Sequence, residues 1–191
     1  MIGGSKLKVL RTVKKAVKRK QIAVVVDGPN MLRKDLNVDL ETVRRIIMDV
    51  GRPVISIVIL DRKAPEKLVE AVNNAGFKPI ISAGKVEVDF TIAAMDAIYM
   101  EKIDSLILVA RSAAYLPLIH KAKEKGKEVV VIGTEPGFSI ALKKAADKFV
   151  SLSESTELSP PETEGEEEEG YEEQYYADLE EDKGLEGDDS E

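Results

Sequence analysis

The sequence predicts an α/β protein in which helices cover both faces of a mostly parallel central sheet. Short runs rich in Val and Ile alternate with helical segments, the order that βαβ units require. The runs are nearly continuous apolar residues, as strands are when both sheet faces are buried. Gly51, Gly76 and Gly126 each stand just past a helical segment, where a left-handed C-cap favours glycine.

In chain order, residues 6–20 read as a basic helix with Leu7, Leu10, Val13 and Val17 near one face. The strands expected after it span residues 22–26, 54–60, 78–82, 105–110, 128–132 and 149–152. The helices expected between them span residues 40–49, 65–75, 89–101, 114–125 and 139–146. Beyond Leu152 the composition changes to Pro160-Pro161, an acidic run at Glu166–Glu169 and three tyrosines. Such a segment buries too little apolar surface to offset its ordering entropy, and disorder is expected. The chain thus divides into a basic helix (1–20), one domain (21–152) and an acidic tail (153–191). At 191 residues it has room for one good core.

Charge follows the same division. From Met1 to Leu152, 27 Lys and Arg face 17 Asp and Glu, a net of +10; from Ser153 onward one Lys faces 18 acids, a net of −17. The overall −7 and the pI of 5.0 describe neither part. A basic body suits a polyanion, whose phosphates release counterions on binding. The absence of Cys excludes disulfides and thiolate metal sites, and the single His120 excludes a His-rich centre. A metal would be a hard cation on oxygen ligands, such as Mg²⁺ or Mn²⁺. No run is long and apolar enough to span a bilayer, no signal-peptide core follows the basic start, and a cytoplasmic location is expected.

Three places converge on the carboxyl edge of the expected sheet, where open α/β folds bind ligands. The run from Ile22 to Val26 ends in Asp27-Gly28-Pro29-Asn30, a carboxylate, a tight turn and a carboxamide. The same four residues are good turn formers, so chemistry and turn stand level there. Lys85-Val-Glu-Val-Asp89 opens a helix with Asp89, Ala93 and Asp96 on one face. Asp89 and Asp96 lie about 10 Å apart along the axis, too far to share one ion. Asp89 is therefore assigned to the site, and Asp96 to its support, bonding the Asp27 turn or Arg111. The third place is Ala110-Arg111-Ser112-Ala113-Ala114-Tyr115. Arg111 suits a phosphate or an ion pair with Asp96 or Asp89 equally. Ser139 is read first as a helix cap and second as a phosphate contact, and His120 as a packing residue.

These motifs, in this order, resemble the NYN domain, the branch of the PIN-like nucleases that includes LabA-type proteins. The resemblance rests on Asp27 to Asn30, on Lys85, Val88 and Asp89, and on Tyr115-Leu-Pro-Leu-Ile119. Gly133-Thr-Glu-Pro-Gly-Phe-Ser139 is most similar to an uncharacterised, mainly archaeal subfamily. The resemblance implies a three-layer α/β/α PIN-like domain. It also implies metal-dependent RNA cleavage, with Asp27 and Asp89 facing Mg²⁺ or Mn²⁺ and Asn30 orienting Asp27 or a phosphate.

One departure bears on activity. The family's loop after the fourth strand usually reads Asp-x-Asp-aromatic, and here the two acidic positions hold Ser112 and Ala114. A hydroxyl brings no charge and a methyl no ligand, so the pull on a divalent cation is much reduced. RNA binding or processing is the function expected. One reading is an endoribonuclease working with Asp27, Asn30 and Asp89. The other is a non-catalytic module in which Arg111, Ser112, Ser139, Lys85 and the basic helix hold RNA. A small-molecule nucleotide binder is a third class, but the chain has neither a P-loop nor a G-x-G-x-x-G turn. No DNA specificity follows from the sequence, and a homodimer is left open. The acidic tail, with Tyr171, Tyr175 and Tyr176, is matched to the chain's own basic surface or to a basic protein. A chain lacking the tail is then expected to bind RNA more tightly at low salt.

Overall fold

The computed structural model describes residues 19–152. Six strands form one sheet, every neighbouring pair parallel: β1 (Gln21–Asp27), β2 (Arg52–Leu60), β3 (Lys78–Ile81), β4 (Ser105–Val109), β5 (Glu128–Gly133) and β6 (Lys148–Ser151). Their order is β3-β2-β1-β4-β5-β6, so the direction of winding reverses between β1 and β4. The doubly wound α/β class expected from the apolar runs is therefore the observed one.

Six helices connect the strands: α1 (Gly28–Met31), α2 (Leu40–Val50), α3 (Glu66–Asn74), α4 (Val86–Tyr99), α5 (Leu116–Glu124) and α6 (Ile140–Ala145). Alternate residues of the central strands feed two apolar clusters, one on each sheet face. Ala23, Val25, Leu106 and Leu108 pack with α4, α5 and α6; Val24, Val26, Ile107 and Val109 pack with Met31, Val43 and Val72 of α1, α2 and α3. With both faces filled, the strands need no polar alternation.

Several boundaries differ from those expected, each for a local reason. Helix α4 begins at Val86 instead of Asp89, so Glu87 and Asp89 both occupy its first turn, where carboxylates complement the helix dipole. Gly76 and Gly126 are left-handed (φ 79° and 70°), but Gly51 is extended, at φ −179°. Gly51 is there for space: a Cβ would lie 2.6 Å from the Lys20 carbonyl oxygen. Of the basic helix expected at 6–20, residues 6–18 lie outside the described residues, and Arg19 and Lys20 are not helical. The Lys20 carbonyl instead accepts from Arg52 N at 2.8 Å, extending the β1–β2 pairing by one residue. The acidic tail from Ser153 onward also lies outside the described residues.

Lys20 and Lys148 hold Glu128 at the start of β5, at 2.6 and 3.0 Å. Burial pushes the Glu128 carboxyl up, but the two ammonium groups outweigh it and hold the group below the usual range. A depressed folded pKa means stabilisation above the unfolded value near 4.5, lost as pH falls through the folded one. Glu128→Gln is expected to lower stability by about 0.5–1 kcal/mol at neutral pH, since the lysines are half exposed. Urea melts should show that deficit at pH 7 and its progressive loss as the pH falls below about 4.5.

Candidate nucleic-acid interface at the switch point

Open α/β folds bind ligands where the strand order reverses, here between the carboxyl ends of β1 and β4, and Asp27, Asn30 and Tyr115 are bonded to one another there. Asp27 ends β1 and is fully buried. Its Oδ1 accepts from Asn30 N at 3.3 Å, capping α1, and its Oδ2 accepts from Asn30 Nδ2 at 2.7 Å and from the Tyr115 hydroxyl at 2.6 Å. Tyr115 ends the 3₁₀ turn Ala113–Tyr115 after β4, so this bond crosses the switch point. Its ring stacks on Phe90 of α4, centroids 4.1 Å apart, which fixes the start of α4 against the same turn. Burial first, then the bond to and charge of Asp27, then the charge of Glu87, push the Tyr115 phenol well above its ordinary value. It is a lasting donor.

The turn formation and the carboxylate of the Asp27 segment are thus one device. Asp27 caps α1, and Pro29 fits the first turn because no helical partner awaits its missing N–H. Gly28 is demanded by contact: a Cβ there would lie 2.5 Å from the Ile59 carbonyl oxygen and 2.6 Å from Leu60 Cδ2.

The other expected residues are placed as follows. Asp89 is partly buried in the first turn of α4, and Lys85 is exposed at its N-cap without a capping bond. Ser112 accepts from Ala114 N at 3.2 Å and caps the 3₁₀ turn. Ser139 holds the N-cap position of α6, but its side chain makes no capping bond; its carbonyl accepts from Leu142 N at 3.1 Å. Arg111 is in neither expected ion pair. Its Nη1 donates to the Pro136 carbonyl, its own carbonyl accepts from Ser139 N at 2.9 Å, and its Nε is buried without a partner. The support assigned to Asp96 is not seen. Asp96 is exposed, two turns further along α4, and the bonds of Asp27 and Arg111 go elsewhere.

Two participants escaped the sequence reading. Tyr115 stood there as a motif aromatic, not as the partner of Asp27; a lone Tyr in a core-facing segment signals such a bond, because a buried hydroxyl needs an acceptor. Glu87 was passed over because the expected helix started after it.

These donors do not fit a carboxylate-held divalent cation. A carboxylate offers about four lone-pair positions, and three of those on Asp27 are filled by N–H and O–H donors at a place without solvent access. The Ser112 hydroxyl is occupied by its cap, and position 114 is a methyl. Among the described residues, no group of three or more acidic, His or Cys side chains is gathered at one place.

A parallel sheet of this order defines a doubly wound α/β domain, and the family it matches suggests a fold of the PIN-like nuclease type. The chain belongs to the NYN domain family, which it matches over residues 21–154. It is 48% identical over 147 residues to an uncharacterised protein of Methanocaldococcus jannaschii, covering 75% of this chain and 61% of that protein's length. A crystal structure of a protein of unknown function from Vibrio parahaemolyticus superposes with a TM-score of 0.65 at 19% identity, over 76% of this chain and 99% of that one. That likeness shows the fold alone. Nucleases of the NYN and PIN-like type generally use divalent metals. Among the described residues, no helix is long and apolar enough to cross a membrane.

Proposed function

We propose that this chain is an RNA-binding NYN module whose aspartate has become structural, and that it does not cleave RNA through a metal centre. The observation that carries this reading is the state of Asp27: buried, its oxygens accepting from Asn30 and Tyr115. Cation placement supports a polyanion. Lys34, Arg62, Lys63 and Lys85 are exposed on the loops that leave the carboxyl ends of β1, β2 and β3, and Arg111 follows β4. Arg111 is anchored by a neutral carbonyl, with no carboxylate in ion-pair distance among the described residues, so its charge is available to a phosphate. Such contacts position a nucleic-acid backbone without reading its sequence.

The test is fluorescence anisotropy with a labelled single-stranded RNA, in EDTA and in Mn²⁺, with cleavage followed on gels. Binding is expected to survive EDTA, with no cleavage in either buffer. Arg111→Ala should weaken binding by about tenfold and make the salt dependence shallower by about one ion. Mn²⁺-dependent cleavage abolished by Asp27→Asn would overturn the reading in favour of a nuclease using Asp27 and Asp89.

A further inference from the structure

Helix α4 carries apolar residues on every side, the pattern of a helix that is largely covered. Its inner side is: Phe90, Ala93, Ala94, Ala97 and Ile98 are buried. Its outer side is largely open, with Lys125 Nζ from the end of α5 over the Tyr99 ring at 4.9 Å. Val88, Ile92 and Tyr99 are 55%, 54% and 58% exposed, with the partly buried Met95 between them. The spacing of four, three and four residues sets these side chains on one stripe along the whole helix, as in a coiled-coil seam. On the same sheet face, Ile55, Ile57 and Ile80 are also only partly buried. The charges of α4 are Glu87, Asp89 and Asp96, with no cation.

We propose that the stripe is the seat of the chain's own residues 6–18. This segment offers Leu7, Leu10, Val13 and Val17, together with Lys6, Lys8, Arg11, Lys14, Lys15 and Lys18 and no acid, the complement of α4 in both respects. As a helix it would be about 20 Å long, against about 21 Å for α4. Its starting point lies within reach of α4, although Arg19 Nη2 donates to the Met48 carbonyl of α2, which ends at the same edge. Lys20 and Gln21 lie at the sheet edge where α4 ends: the Gln21 carbonyl accepts from Asp104 N at 2.8 Å, four residues after Met100. A second copy is the weaker occupant. Pairing two α4 stripes antiparallel would set Asp89 and Asp96 of both copies along one flank, like charge facing like.

The chain has no cysteine, which makes disulfide trapping clean. Ile92→Cys is combined in turn with Leu10→Cys, Val13→Cys and Val17→Cys in the full chain and oxidised. At least one pair is expected to close within a monomer, because the bond forms only when the Cα atoms come within about 7 Å. Adding Asp96→Lys should lower that yield several-fold at low salt. Dimers trapped by Ile92→Cys alone would identify a second copy as the occupant and overturn the proposal, as would a monomer with no crosslink. Hydrogen exchange on the unmodified chain gives an independent reading. Residues 6–18 should exchange at least tenfold more slowly than the same sequence as a free peptide, and equal rates would overturn the assignment.

Discussion

Gly28→Ala is expected to destabilise the domain by about 1–2 kcal/mol, although alanine is the better helix former. Inside a helix the exchange alone would favour Ala by roughly 1 kcal/mol. Here the added methyl meets the Ile59 carbonyl oxygen at 2.5 Å and Leu60 Cδ2 at 2.6 Å. Leu60 can rotate away. The carbonyl cannot, because Ile59 sits in β2 beside both β1 and β3. Overpacking against a fixed backbone typically costs about 1–3 kcal/mol, and the strain falls on the turn that presents Asn30 to Asp27. Urea denaturation should show a lower midpoint with an unchanged slope. A neutral result would mean that α1 can lift off β2 freely and that the turn is not fixed by this contact.

Tyr115→Phe should have a comparable effect by a different route. The ring and its stack on Phe90 remain, but Asp27 Oδ2 loses a donor at 2.6 Å in a place that water does not reach. Losing a hydrogen bond to a buried charged group costs about 1.5–3 kcal/mol. The pH dependence tests whether the fold holds the phenol protonated, by burial first and by Asp27 second. The folded Tyr115 phenol is raised, so the folded state keeps a proton that the unfolded chain releases above about pH 10. The stabilisation is therefore complete below pH 10 and declines as pH rises beyond it, by up to about 1.4 kcal/mol per unit. Parent and Tyr115→Phe should differ most between pH 7 and 9 and converge towards pH 11. Parallel curves across that range would show that the fold does not hold the Tyr115 proton.

Much of the architecture was legible because it rests on burial. Runs such as Ile22 to Val26 and Val129 to Ile132 are apolar at every position, which only a doubly covered sheet allows. What escaped depended on contacts between distant segments. Gly51 looked like a helix cap, and only the approach of Lys20 reveals that it serves strand pairing. The candidate residues Asp27, Asn30, Asp89 and Arg111 were picked out by their place after strands or at a helix start, which topology alone supplies. Their partners were not, because the bond of Tyr115 to Asp27 spans 88 positions and that of Arg111 to the Pro136 carbonyl spans 25. Asp96 shows the converse error: a shared helix face is not a shared neighbourhood when two turns intervene.

The double duty of Asp27 bears on how this lineage can be sorted. A carboxylate that ties β1 to the turn after β4 is held in place by folding alone, so losing catalysis would not release it to drift. Its presence in a relative is then no sign that the relative cuts RNA. Positions whose scaffold role an acid can also fill are the better record, and the pair to inspect is Ser112, whose cap on the 3₁₀ turn an Asp would equally supply, and Ala114.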